Sequence, residues 1–148
     1  MTELTEELQE RVDLIKHKLK FIEQKPAVAC ITQLEPLTFA GDNLAQLLSI
    51  AGGENSTLDA NPDIIIVMPE DYVVEQTIKE IGTLMQLPNF VDLKAVKNNR
   101  LYIADGSQDV TTNPQASVEQ LENLAEMINP KQFIFGNEGE AWVKFSLQ

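Results

Sequence analysis

The sequence predicts a three-layer, Rossmann-like α/β domain with a small parallel sheet and a long N-terminal helix. Three observations lead there. Segments of strand length occur at 27–33 and 64–68 as apolar runs and at 100–105 as an alternating stretch with Leu101 and Ile103 on one side. Between and around them lie segments of helix length whose apolar positions recur at spacings of three and four. Proline or glycine stands at nearly every junction. Strands alternating with helices imply βαβ units, whose right-handed crossovers give a parallel sheet, here of three or four strands, covered on both faces.

Residues 2–24 read as the first helix. Leu4, Leu8, Val12, Ile15, Leu19 and Ile22 form its apolar stripe, Thr2 or Thr5 can cap it, and Lys16, Lys18, Lys20 and Lys25 suit the negative end of its dipole. Pro26 is expected to stop it. Residues 27–33 are a continuous apolar run, hence a buried strand. Residues 34–40, with Pro36, read as loop. A second helix over 41–51 carries Leu44, Leu47, Leu48 and Ala51, and Gly52-Gly53 caps its end rather than forming a phosphate loop, because no strand precedes it. Residues 54–61 are polar and read as loop. Residues 64–68 form the clearest strand, closed by Pro69. A third helix is expected over 70–87, then a short irregular or helical segment over 90–96 and a strand over 100–105. After a polar loop at 106–114, a last helix spans 116–128 with Val118, Leu121, Leu124, Ala125 and Ile128 inward. The tail from Lys131 carries Phe133, Phe135, Trp142 and Phe145, and either packs on the body or adds an edge strand.

The 148 residues fit one domain, read as a long helix over 1–25 and a single lobe over 26–148. With 43% hydrophobic residues such a chain buries a core without staples. A net charge of −12 argues against nucleic acid and against docking on anionic membranes, since both require clustered cations. Cys30 is the one cysteine and lies in an apolar run; His17 is the one histidine and lies in a charged helix. Zinc clusters and Ser-His-Asp triads are therefore not expected, nor is any resident cofactor or metal, and the chain is not expected to be an enzyme. The acidic start, Met1-Thr-Glu-Leu-Thr-Glu-Glu7, lacks the apolar core of a signal peptide, and no run is long enough to insert in a membrane. The chain as it stands is expected in the cytoplasm; cut from a secreted precursor, it belongs in the periplasm or at the cell surface.

Ligands of open parallel sheets sit beyond the carboxyl ends of the strands. Three loops qualify, at 33–43, 69–72 and 105–113. They offer Gln33, Glu35, Phe39, Asp42, Asn43, Glu70, Asp71, Tyr72, Asp105, Gln108, Asp109 and Asn113, an acidic, amide-rich rim with two aromatics. Gln33, Glu35, Phe39, Asn43, Glu70, Tyr72, Gln108 and Asn113 are the candidate ligand-binding residues. The competing reading is that Asp42, Glu70 and Asp71 merely cap helices.

Four stretches resemble one family together. They are Asn43-Leu-Ala-Gln-Leu-Leu-Ser-Ile-Ala-Gly-Gly-Glu-Asn55, Ala60-Asn-Pro-Asp-Ile-Ile-Ile-Val67, Leu93-Lys-Ala-Val-Lys-Asn-Asn-Arg-Leu-Tyr-Ile-Ala-Asp105, and Pro114 onward. With the long helix, they resemble the inter-lobe helix and C-terminal lobe of class III periplasmic binding proteins, the cobalamin-, haem- and ferric-siderophore-binding components of ABC importers. The cobalamin type is the most similar. The resemblance covers about residues 10–135. It implies that 2–24 is the helix between two lobes, and that 33–39, Tyr72 and 106–113 face a ligand cleft. Against the family pattern the chain is expected to lack an N-terminal lobe and a strand in the short stretch at 53–61, and it has Asn113-Pro-Gln-Ala-Ser117 where the family often has Pro-Gly-Pro-Arg.

The function that follows is a non-catalytic solute-binding lobe of a metal-chelate import system, for cobalamin, haem or a ferric siderophore. Its partners would be the chelate, an ABC permease, and a second lobe or a second copy in a homodimer that completes the cleft. The alternative is a protein-interaction module that kept the fold and lost the ligand, using the apolar face of 2–24.

Overall fold

The computed structural model describes residues 5–108, 110 and 112–146. Its strands are β1 (Ala27–Leu34), β2 (Leu37–Phe39), β3 (Glu54–Ser56), β4 (Ile64–Val67), β5 (Leu101–Ala104) and β6 (Trp142–Lys144). Its helices are α1 (Glu6–Leu19), α2 (Asp42–Ile50), α3 (Val74–Glu80), α4 (Gly82–Met85), α5 (Lys94–Lys97) and α6 (Pro114–Ile128). Among the described residues the sheet has six strands in the order β2-β1-β4-β5-β6, with β3 also on β1. β3, β1, β4 and β5 run parallel; β2 and β6 run antiparallel at the two edges. The edge beside β1 is shared, β3 pairing with Ala27 to Ala29 and β2 with Ile31 to Leu34.

Successive strand side chains point to opposite faces, and here both faces are apolar. Val28, Cys30, Ile64, Ile66, Met68, Tyr102 and Ala104 face a layer made by α1, α2 and α6. Ala29, Ile31, Ile65, Val67, Leu101 and Ile103 face the segment from Ile81 to Ala95. That is why these strands read as unbroken apolar runs. Each fully buried Ile or Leu contributes about 1.5–3 kcal/mol relative to exposure. Burial also pushes the Cys30 thiol up to about 12, so it stays protonated within the core.

The layer on α6 is fastened by carboxylates. Glu122 takes Arg11 of α1 in a fork, Nε to Oε2 at 3.1 Å and Nη2 to Oε1. Glu126 accepts from Trp142 Nε1 at 2.8 Å, from Gly136 N at 3.0 Å and from Phe135 N. These bonds anchor the tail, whose Phe133 and Trp142 join the same core. The tail thus both packs on the body and supplies an edge strand.

Several expected boundaries are corrected. Thr5 caps α1, its Oγ1 accepting from Leu8 N, and Thr2 and Leu4 lie outside the described residues. α1 ends at Leu19 rather than at residue 24, well before Pro26. Lys20 N and Ile22 N bond three residues back, to His17 and Leu19, which tightens the last turn, and residues 22–26 follow without regular structure. The third helix starts at Val74, not at residue 70, because Asp71 has φ 68° and the backbone of 70–72 is bonded elsewhere. It then breaks at Ile81–Gly82 into α3 and α4. Residues 34–40 are not loop: β1 and β2 form a hairpin across Glu35-Pro36, joined by a cis peptide. Residues 54–61 contain β3 and a single 3-10 turn, so the strand expected to be missing there is present.

Candidate functional site

β1, β4 and β5 end at the same edge of the molecule, and their following loops are tied together through the backbone. Met68 N bonds Ile31 O at 2.8 Å and Glu70 N bonds Thr32 O at 3.0 Å, extending the β1–β4 pairing past β4. Asp71 N donates to Gly106 O at 3.0 Å, and Gly106 N to Tyr72 O at 2.9 Å. This crossing of two loops requires glycine: a Cβ at residue 106 would overlap Pro69 O and lie 2.9 Å from its carbonyl carbon. The loops are therefore a fixed floor rather than independent flaps.

Two hollows open over that floor, of about 490 Å³ and about 500 Å³. They share Thr32, Glu70 and Asp71, so the Glu70-Asp71 turn is the ridge between them. Of the residues expected to bind ligand, Asn43, Glu70 and Gln108 line the first, together with Asp42. Gln33, Glu35, Glu70 and Tyr72 line the second, together with Glu80. Phe39 is elsewhere: with Leu37, Leu58, Leu87, Phe90 and Leu93 it lines an apolar hollow of about 420 Å³ against the opposite core. Asn113 is the N-cap of α6, its side chain accepting from Ala116 N at 3.2 Å. Asp105 holds its own turn by accepting from Ser107 N at 2.7 Å, and Asp109 lies outside the described residues.

The capping reading of the acids is corrected for Glu70 and Asp71, whereas Asp42 does lie in the first turn of α2, where a negative charge suits the dipole. Asp42 opens α2, but Gly41 is the cap and no side chain bonds the helix end. Glu70 and Asp71 precede Val73, the N-cap of α3, whose N–H is taken by Gln76 Oε1 at 2.9 Å. Among the described residues the carboxylates of Glu35, Asp42, Glu70 and Asp71 have no hydrogen-bond or ion-pair partner. Glu80 Oε2 accepts from the Tyr72 hydroxyl at 3.1 Å, and that bond together with the negative charge holds the Tyr72 phenol above its ordinary value. Lysine, arginine and histidine are missing from the described lining of both hollows. Groups of three or more His, Cys, Asp or Glu arranged to hold a metal ion are also lacking among the described residues.

Sequence reasoning passed over Thr32, Met68, Ser107 and Gln120, all on the wall of the first hollow. Gln120 lies off the apolar stripe of α6, so nothing in its spacing marks it. Its Nε2 donates to Met68 Sδ at 3.3 Å, and its Oε1 is buried and accepts no hydrogen bond.

No family model matches the sequence, and no curated protein is similar to it. Solved structures share the fold. A TroA-like periplasmic binding protein, FepB, from Veillonella parvula superposes with a TM-score of 0.68 at 21% identity, over 85% of this chain and 46% of its own. An ABC transporter substrate-binding protein from Listeria monocytogenes EGD-e gives a TM-score of 0.70 at 22% identity, over 84% and 55%. IsdE of S. aureus, complexed with heme, gives 0.67 at 24% identity, over 83% and 55%. The chain spans about half the length of these structures, and its fold is that of one lobe of a TroA-like periplasmic binding protein.

Proposed function

We propose that this chain is a non-catalytic lobe that binds a metal chelate for ABC import, presenting one wall of a ligand cleft. The observation that carries the reading is the pair of adjoining hollows on a backbone-locked floor at the carboxyl ends of β1, β4 and β5. This is where open α/β sheets take ligands. Structures of the same fold are named as a heme complex, a periplasmic heme-binding protein and part of an Fe3+-hydroxamate transport system. Haem and ferric hydroxamates are accordingly the first chelates to test, and cobalamin rests on the sequence resemblance alone. Gln33, Glu35, Asn43, Glu70, Tyr72 and Gln108 would contact the chelate, with Thr32 and Gln120 beside them. Phe39 and Asn113 are not part of the proposed contact set, since each is engaged elsewhere.

One wall covers less of a chelate than a closed cleft, so tight binding needs a second wall. Two copies meeting cleft to cleft would oppose their unpaired carboxylates, which disfavours a homodimer without ligand at low salt. A second lobe of different charge fits better. The test is thermal unfolding with haem, ferric siderophores and cobalamin. A chelate at a hundred times its dissociation constant adds about 2.7 kcal/mol, or roughly 3–6 °C in midpoint for a chain of this size. No shift with any of them, at concentrations where a related binding lobe responds, would remove the reading.

A further inference from the structure

We infer that two copies of this chain associate weakly through the outward face of α1, the two helices running antiparallel about a two-fold axis at Leu14. The inference goes beyond the solute-binding reading and does not depend on it. α1 buries Leu8, Val12 and Ile15 against the body, so its apolar stripe is not available to a partner. A different stripe faces outward. Glu7, Glu10, Leu14, Lys18 and Phe21 are all exposed and follow one another at spacings of three and four, which aligns them along one side. The tail borders that side: Lys18 Nζ donates to Gln132 O at 3.3 Å and stands 5.4 Å from the centre of the Phe133 ring. Phe133 is buried and stacks on Phe135, and Ile134 between them is turned to solvent. Phe21 and Ile134, at 83% and 85%, are the most exposed large apolar side chains among the described residues, and Leu14 is 47% exposed.

The division of charge along α1 argues for a second copy as the occupant. The acids Glu6, Glu7, Glu10 and Asp13 stand before Leu14, and Lys16, His17, Lys18 and Lys20 after it. Arg11 is the exception in the first half and is taken up by Glu122 of α6; Glu23 is the exception beyond the helix. Glu119 of α6 and Lys131 of the tail flank the stripe with opposite signs. An acidic or a basic foreign helix would match half of this pattern. An antiparallel second copy matches both halves: Leu14 meets its own equivalent, Glu10 faces Lys18 of the second copy on either side of the axis, and Phe21 covers the first turn of the second helix. A parallel arrangement would oppose like charges. The 14 residues of α1 extend roughly 21 Å, which covers less than the about 800 Å² per partner of a standard interface. Each copy also carries a net charge of −12, so association is expected on the order of 100 µM. α1 and α6 run side by side in one direction, Arg11 reaching Glu122 and Lys18 reaching Gln132. α6 starts at the cleft end, so the two clefts of the dimer open at opposite ends and both stay free.

Sedimentation equilibrium at about 0.15 M salt, up to about 1 mM chain, tests the interface. A monomer–dimer equilibrium is expected. Leu14→Glu puts like charges on the axis, and Glu10→Lys and Lys18→Glu each oppose like charges beside it; each should weaken association about tenfold or more. An equimolar mixture of the Glu10→Lys and Lys18→Glu chains restores both opposite pairs and should regain the dimer. Unchanged unfolding midpoints show that the variants are folded. Since Lys18 also holds the tail, Leu14→Cys provides a measurement that keeps every native charge: mild oxidation should crosslink the dimer through that position, Cys30 being fully buried. A chain that stays monomeric throughout overturns the inference. So does a dimer that survives Leu14→Glu, a mixture no stronger than its folded components, or a dimeric Leu14→Cys chain that does not crosslink.

Discussion

Three carboxylates of the body bond donors from other elements, whereas four on the cleft wall do not; Glu80, which takes the Tyr72 hydroxyl, is the exception on that wall. Glu122 holds Arg11, Glu126 gathers three N–H groups, and Asp63 takes Ala27 N and Lys94 Nζ, each at 2.9 Å. Each of these ties together elements far apart in sequence. Glu35, Asp42, Glu70 and Asp71, at the carboxyl end of the sheet, tie nothing. A chain of net charge −12 carries many acids for solubility, so acidity alone says little. What separates structural acids from available ones is whether the fold has provided a donor, and here that division follows the geometry of the sheet.

The largest test of the division is Glu126→Ala. It leaves Trp142 Nε1, Phe135 N and Gly136 N without an acceptor beneath a packed tail, and should lower stability by about 3 kcal/mol. Glu126→Gln keeps an acceptor oxygen and should lose about half as much. Urea unfolding measures both. An alanine variant within about 0.5 kcal/mol of wild type would mean the tail does not depend on this carboxylate.

Next comes a cleft substitution that touches no charge. Gly106→Ala forces a methyl group against the Pro69 carbonyl and must spread the loops after β4 and β5. A loss of about 2 kcal/mol is expected, with weaker chelate binding although no proposed contact residue is altered. If both stability and binding are unaffected, the cleft floor is not the rigid element described.

Much of this was legible in the sequence, and the rest was hidden for physical reasons. The runs at 27–33 and 64–68 announced buried strands because both faces of a covered parallel sheet are apolar, and that order of strands and helices fixed where the candidate loops converge. β3 was not visible, because Glu54, Asn55 and Ser56 have neither alternation nor β propensity; it is held by its ladder to β1. The start of α3 was misplaced because Glu70 N is claimed by β1 and Asp71 N by the loop after β5, tertiary bonds that no local pattern reveals. Phe39 was placed in the cleft by its loop reading. As a β2 residue two positions from Leu37, it shares that side chain's face and joins the core instead. That Gln33, Asn43, Tyr72 and Gln108 line the hollows follows from loop position alone, whereas Gln120, on a helix, had no such signal.

A smaller effect is expected at the amino end of the sheet. Asp63 is held below its ordinary value first by the Ala27 N–H and then by Lys94. A carboxylate lowered in the folded state stabilises above its unfolded value of about 3.9 and loses that contribution as pH falls through the folded one. The pair is about half exposed, with side-chain exposures of 49% and 42%, so screening leaves little of it. Asp63→Asn should lose about 0.5 kcal/mol at about pH 7, and the loss should vanish once the pH has fallen through the lowered folded value. A difference that grew in acid would contradict the assignment.

The smallest expected effect is the most diagnostic. Glu35→Gln/Glu70→Gln/Asp71→Asn removes three cleft charges, and since none has a partner to lose, stability should change by less than about 0.5 kcal/mol. The sign should be favourable at low salt, because three like charges leave an acidic surface. Asn at residue 71 suits the left-handed backbone there, where φ is 68°. Unfolding midpoints in urea at low and high salt measure the effect. A loss above about 1 kcal/mol would place these acids among the structural ones, and the division between body and cleft would fail.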